Sequence, residues 1–63
     1  SQKNKIIEKI QNIEKKMNKL NVKLKNKAYL NNAPKEIVKI DKDLLKDLMI
    51  EDNKLRSIVS SIN

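Results

Sequence analysis

The chain has 63 residues, enough for one small domain that buries only about 60% of the surface exposed by its unfolded form. It contains no Cys, His or Gly and a single aromatic residue, Tyr29, which excludes disulfides and Cys or His zinc ligands and argues against a sheet protein. The 15 basic residues outnumber the 8 acidic ones, so the net charge is +7 at pH 7 and a polyanionic partner becomes a reasonable hypothesis.

The sequence shows no catalytic machinery. Without His, Cys or a glycine-rich loop, the usual nucleophile, base and phosphate-binding constellations cannot be assembled, so we expect no catalytic residue, no metal site and no cofactor in this chain. No apolar run is long enough to span a membrane and no signal peptide is visible, which favours a cytoplasmic protein without a membrane partner. Because the chain starts at Ser1 rather than Met, we expect it to be a fragment of a longer chain.

The first half of the chain carries apolar residues at helical spacing. Intervals of 4, 3, 4, 3 and 4 residues separate Ile6, Ile10, Ile13, Met17, Leu20 and Leu24. Such a heptad seam predicts a helix over about 3–28 that packs against a partner helix, as in a coiled coil.

A break follows at Asn31-Asn32-Ala33-Pro34, because Asn leaves helices easily and Pro cannot continue one. We predict a bend over about 29–33 and a second helix over about 34–61, with Asn32 or Ala33 as its N-cap. The whole chain, 1–63, would then be all-α: a single two-helix antiparallel coiled-coil hairpin.

The second helix has a less regular seam because two aspartates interrupt it. Asp41 and Asp52 occupy core positions, and we expect both to tip outward at the edge of a narrow core. A register-fixing or partner-contacting role is the alternative. The apolar members of this seam are Val38, Leu45, Leu48, Leu55, Val59 and Ile62.

The position of the bend predicts which side chains meet across the hairpin. Met17 should meet Leu45, and Leu20 should approach Asp41. Tyr29 should close the top of the seam, a structural role that we favour over base stacking.

Acidic residues balance the basic ones only in the second half of the chain. Residues 1–31 carry nine lysines against Glu8 and Glu14, a net charge of +7, whereas residues 32–63 carry six basic and six acidic residues. The codon bias of an A+T-rich genome would raise the Lys content of both halves, so this asymmetry is a better functional signal than the total charge.

The lysines of the first helix divide by their position relative to the seam. Lys9, Lys16 and Lys23 flank the seam, where their alkyl stems would cover the interface, and we assign them a mainly structural role. The others point further outward and are the candidates for phosphate contact: Lys5, Lys15, Lys19, Lys25 and Lys27.

The run from Leu24 to Val38, followed by Asp41, resembles a known family. It is similar to the C-terminal coiled-coil, tRNA-binding arm of bacterial-type valyl-tRNA synthetases, whose pattern is matched here by Leu24, Asn26, Tyr29, Ala33, Pro34, Ile37, Val38 and Asp41. Two positions depart from the pattern. Tyr29 replaces the commoner Phe, and Asp52 stands where the second helix of the family usually continues its apolar seam.

The resemblance implies a helical hairpin at the C-terminus of a valine-tRNA ligase, a large cytoplasmic synthetase that uses ATP. Catalysis and ATP binding would belong to the parent enzyme, and the partners of the arm would be tRNA and the remainder of that synthetase. The arm would contact the phosphate backbone near the outer corner of the L-shaped tRNA and assist aminoacylation. We expect it to be a monomer.

Other classes of function remain open. The chain could be a structural coiled coil that docks onto a protein without nucleic-acid contact, for which the outward-facing Val22, Met49 and Ile50 would be suitable. It could also be a nucleic-acid arm of a different synthetase or of a ribosome-associated ATPase. A lysine-rich face can also simply keep a small domain soluble.

Overall fold

A computed structural model describes residues 2–62, which form three α-helices and no strand. The helices are α1, Gln2–Lys25, α2, Lys27–Asn32, and α3, Lys35–Ile62. The two long helices pack along each other, and the short α2 packs against α1. The molecule is a rod of 45 × 14 × 13 Å. The prediction of an all-α fold is confirmed, whereas the prediction of two helices missed α2.

The first predicted helix ends earlier than expected because Asn26 interrupts it. Asn26 has extended backbone angles, φ −80° and ψ 111°, and its side-chain oxygen accepts hydrogen bonds from the N–H groups of Ala28, at 3.0 Å, and Tyr29, at 3.3 Å. An Asn side chain that bonds to these amides replaces helical acceptors and becomes an N-cap. The segment predicted as the end of helix 1 and the bend is therefore a separate short helix.

The connection to α3 follows the prediction closely. Ala33 is extended, with φ −77° and ψ 143°, as expected for a residue before proline, and its N–H donates to the Tyr29 carbonyl at 2.8 Å. The Pro34 carbonyl accepts from the N–H groups of Ile37 and Val38 at 3.0 and 3.1 Å, so α3 starts directly after the predicted proline. The predicted N-cap is wrong, because Asn32 ends α2, Ala33 caps its C-terminus, and the first carbonyl of α3 belongs to Pro34.

The core lies in a single row between α1 and α3. The buried side chains of Ile13, Leu20 and Leu48 form its centre, and the partly buried Met17, Leu45 and Leu55 pack against them. All six belong to the predicted seams, so the heptad pattern correctly identified the packed faces. Each core side chain has few neighbours in so narrow an interface, and the stability of the fold depends on a small number of apolar contacts.

The two aspartates of the seam are buried, and the prediction that they tip outward is wrong. Asp41 and Asp52 are each only 8% exposed. A buried carboxylate needs a partner, and both have one: Tyr29 and Lys23 contact Asp41, while Arg56 contacts Asp52. The sequence analysis did not assign these three residues as partners.

The register of α1 against α3 also differs from the predicted one. Asp41 was expected opposite Leu20, but its carboxylate lies 3.5 Å from the Lys23 ammonium, almost one helical turn further along α1. Lower down, Glu14 of α1 reaches Arg56 of α3, which confirms that the two helices run in opposite directions. The extra residues taken up by α2 lengthen the connection and thereby move the register.

We expect Leu20→Ala or Leu48→Ala to cost about 2–5 kcal/mol of unfolding free energy, because each removes a buried side chain from the thin core. Urea unfolding followed by circular dichroism measures this loss. Val22→Ala, at a position that is 72% exposed on the same helix as Leu20, is the matched control and should change little. Equal losses in the core and control variants would contradict the core assignment.

Spin labels at Asn18 and Asn53 test the antiparallel packing, because both exposed residues line one cleft between α1 and α3. The doubly labelled protein is diluted with unlabelled chain so that only distances within one molecule are measured. The two labels should then lie a short distance apart. One continuous helix would place the labels roughly 50 Å apart. A distance near that value would rule out the described fold.

Candidate nucleic-acid interface

The lysines of α1 are concentrated on one side of the helix. At about 100° per residue, five of them occupy an arc of about 80° beside the face that packs on α3. We call these five exposed residues the lysine flank: Lys5, Lys9, Lys16, Lys19 and Lys23. A row of ammonium groups along one edge of a rod creates a positive potential that can follow a line of phosphates.

The structure brings together only some of the predicted phosphate contacts. Lys5 and Lys19 belong to the lysine flank, and Lys15 adjoins it on the side of α1 opposite the core. Lys25 lies on the other edge of α1, and Lys27 is the first residue of α2. All five are exposed, so each can reach a ligand, but Lys25 does not share a surface with the first three.

On the opposite edge of the helix pair, the cation Arg56 is paired twice. The Arg56 guanidinium donates from Nε to Asp52 at 2.8 Å and also donates to Glu14 of α1. The hydrogen bond to Asp52, followed by the charge of that carboxylate, raises the pKa of Arg56 above its ordinary value. Two carboxylates therefore compensate the charge of Arg56, whereas five of the lysines of α1 are gathered on the lysine flank.

Three side chains from three helices form a network near the α2 end of the rod, which we call the tip network. The Tyr29 hydroxyl of α2 donates to the Asp41 carboxylate of α3 at 2.5 Å. Lys23 of α1 contacts the same carboxylate oxygen, and its ammonium lies 4.9 Å from the centre of the Tyr29 ring. The ring is thus part of the structure that holds the helices together, which supports the structural role predicted for it.

The electrostatics of the tip network favour the protonated forms of Tyr29 and Lys23. The hydrogen bond to Asp41 is the main cause that raises the pKa of Tyr29 above 10.0. Contact with the Tyr29 hydroxyl and then the charge of Asp41 raise the pKa of Lys23 above 10.5. The sequence has Tyr29 where Phe is commoner, but it does not show that Asp41 accepts a hydrogen bond from the added hydroxyl, since the two residues are 12 positions apart.

Residues 2–62 contain no group of three or more Asp, Glu, His or Cys side chains arranged to hold a metal ion. No helix within this range is long and apolar enough to cross a bilayer. One oxygen of Asp52 lies buried without a hydrogen-bond partner, so the Arg56 pair satisfies that carboxylate only in part. The lysine flank is accordingly the feature in this range that indicates a ligand.

The fold and its charge distribution define a helical arm with one basic edge, a class of element that binds nucleic acid through phosphates rather than by base readout. Comparison with known families makes this specific. A family model described as the valyl tRNA synthetase tRNA binding arm matches residues 1–63, the whole chain, and the chain belongs to this family. No curated protein and no solved structure matches the chain.

The tip network supplies a pH-dependent prediction. Because the pKa values of Tyr29 and Lys23 are raised, the stabilisation they provide is fully present at neutral pH and is lost as the pH rises through their folded-state values. Asp41→Asn should lower the thermal midpoint by several degrees at neutral pH. Its deficit in unfolding free energy relative to the parent chain, measured by urea denaturation, should shrink toward about pH 11.

Glu14→Gln is the control for this experiment, since Glu14 contacts Arg56 and not the tip network. Its deficit should stay nearly constant over the same pH range, because an arginine remains protonated there. If the two variants respond to pH alike, the coupling among Tyr29, Lys23 and Asp41 is not what stabilises the tip.

Proposed function

We propose that this tRNA-binding arm attaches to tRNA through the phosphate backbone, with the lysines of α1 as its main contacts. The observation that carries the proposal is the placement of the whole excess charge, +7, in residues 1–31, with most of those lysines along one edge of α1. Lysine is a point charge on a flexible stem, suited to phosphate contact and poorly suited to reading base edges. The contacts proposed from the sequence are Lys5, Lys15, Lys19, Lys25 and Lys27.

The arm acts within a larger enzyme in this proposal. It is the C-terminal part of a valine-tRNA ligase, a cytoplasmic synthetase whose ATP-dependent chemistry occurs elsewhere in the chain. The arm is monomeric and contributes no catalytic group or cofactor. It touches the outer corner of the tRNA, which requires an element that projects from an enzyme body, and a rod 45 Å long supports that role.

The isolated chain should bind tRNA weakly and in a salt-dependent manner. Sequence-independent phosphate contacts typically give dissociation constants of roughly 10⁻⁴ to 10⁻⁶ M and weaken steeply as salt rises. Changing Lys5, Lys15, Lys19, Lys25 and Lys27 together to Gln should abolish most of this affinity and flatten its dependence on salt. Fluorescence anisotropy with labelled tRNA at several salt concentrations measures both quantities.

The chain offers a control with the same change in charge. The second half also holds five lysines, all of them exposed on α3: Lys35, Lys39, Lys42, Lys46 and Lys54. Changing these five to Gln should leave most of the tRNA affinity intact. If both sets reduce affinity equally, net charge rather than the surface of α1 determines binding.

Within the parent synthetase, the proposal separates binding from chemistry. The arm acts at high effective concentration there, so its deletion should mainly raise the KM for tRNA and leave ATP-dependent valine activation unchanged. The variant with Lys5, Lys15, Lys19, Lys25 and Lys27 changed to Gln should behave like the deletion. Normal aminoacylation by that variant at moderate salt, together with failure of the deletion, would exclude the phosphate contacts.

A further inference from the structure

The helix α3 carries a second apolar stripe that the described residues cover only in part. Every member is between 44% and 59% exposed. At about 100° per residue, the stripe is centred roughly 80° around the helix from the core seam. We call it the outer stripe, and it comprises Ile37, Ile40, Leu44, Ile58 and Ile62.

The stripe follows the same heptad spacing as the core seam. Ile37, Ile40 and Leu44 are separated by 3 and 4 residues, and the same spacing continues through Asp47, Glu51 and Lys54 before Ile58. A helix with two such faces can pack against a partner on each of them. Val22, Met49 and Ile50, which the sequence suggested for docking, do not share one face, so the outer stripe is the better docking surface.

The outer stripe and the lysine flank lie on the same side of the helix pair. Glu14 on the opposite edge of α1 meets Arg56, which projects from α3 on the side of the core seam away from the stripe. That edge also contains the cleft between Ile10 and Ser60. The lysine flank of α1 therefore runs beside the outer stripe of α3.

The resulting surface has three chemical zones. Its two ends are aliphatic, its middle carries Asp47, Glu51 and Lys54, and its α1 border carries the lysine flank. Aliphatic side chains provide neither the aromatic stacking nor the hydrogen bonds used to hold bases, and the central carboxylates repel phosphate. RNA is thus a poor match for the stripe itself.

A second copy of the chain is also a poor match. If two α3 helices met through their outer stripes so that both aliphatic ends were covered, Asp47 and Glu51 of one copy would face the same acidic residues of the other. This holds for parallel and antiparallel pairing. Like charges opposite each other oppose association, so the stripe disfavours its own copy.

We propose that the outer stripe docks an amphipathic helix of another polypeptide segment with complementary charge. Its apolar seam covers the two aliphatic ends, a basic residue lies opposite Asp47 and Glu51, and acidic residues line the edge that faces the lysine flank. The docked helix would use Lys9 and Lys16, which border the interface, and leave Lys15 and Lys19 free to contact phosphate. This inference goes beyond tRNA binding and does not depend on it.

The test uses two synthetic peptides of about four heptads with identical leucine seams and a central lysine. One carries glutamates along the edge that would face the lysine flank, and the other carries lysines there. Isothermal titration should show at least roughly tenfold tighter binding of the glutamate peptide. Equal binding of both peptides, or no binding of either, would overturn the proposal.

Substitutions on the chain locate the peptide. Ile40→Gln combined with Leu44→Gln should weaken binding of the glutamate peptide roughly tenfold or more, because two apolar contacts are lost. Met49→Gln combined with Ile50→Gln removes exposed apolar side chains outside the stripe and should have no effect. Circular dichroism checks that both variants remain folded. Equal effects of the two pairs would show that the stripe is not the site.

Two further measurements distinguish the other possible occupants. Sedimentation of the chain alone should show a single mass at all concentrations, and dimers that disappear with the Ile40 and Leu44 substitutions would assign the stripe to a second copy. The same substitutions should leave tRNA affinity unchanged. A loss of tRNA affinity as large as that caused by the α1 lysine changes would assign the stripe to RNA and overturn the proposal.

Discussion

All three helices of this protein meet at one carboxylate, that of Asp41. It lies buried in the interface between α1 and α3, where it accepts a hydrogen bond from the Tyr29 hydroxyl of α2 and contacts the Lys23 ammonium of α1. A buried carboxylate without such partners would be strongly destabilising, so the position of each helix relative to the others is constrained by the need to satisfy it. The apolar core is a single narrow row, and it would tolerate other registers more easily than this polar contact does.

The requirement that buried carboxylates have partners also determines which charges of the molecule are paired. Arg56 lies against Asp52 and Glu14, and α3 carries six basic and six acidic residues. The lysines of α1 have few acidic neighbours along one edge. Folding therefore converts a difference in composition between two halves of a sequence into a positive edge on a rod, which is the feature that a phosphate backbone recognises.

In the proposed role, the arm contributes affinity through its charged edge, which can adapt to a phosphate backbone whatever the base sequence. The outer stripe of α3 adds a second surface with different chemistry on the same side of the rod. If a protein helix occupies that stripe, the lysines that flank the core seam contact the protein, and the lysines that point outward contact the nucleic acid. The same two groups of lysines were distinguished by their spacing in the sequence.

The sequence by itself determined the helical class, the apolar faces that pack together, the start of the last helix at Pro34 and the basic character of the first helix. These features depend on residues within a few positions of one another. Heptad spacing therefore indicates the packed faces, and the missing N–H of proline indicates where a helix starts. The resemblance to the valyl-tRNA synthetase arm also rested on local motif residues, and the family match confirmed it.

Only the tertiary structure decided that Asn26 caps a separate helix, that Asp41 and Asp52 are buried, which residues of α1 and α3 face each other, and that Lys25 lies apart from the lysine flank. The reason is physical: register depends on the length of the connection, and the burial of a carboxylate depends on donors such as Tyr29 and Lys23 that lie far from it in sequence and close to it in space.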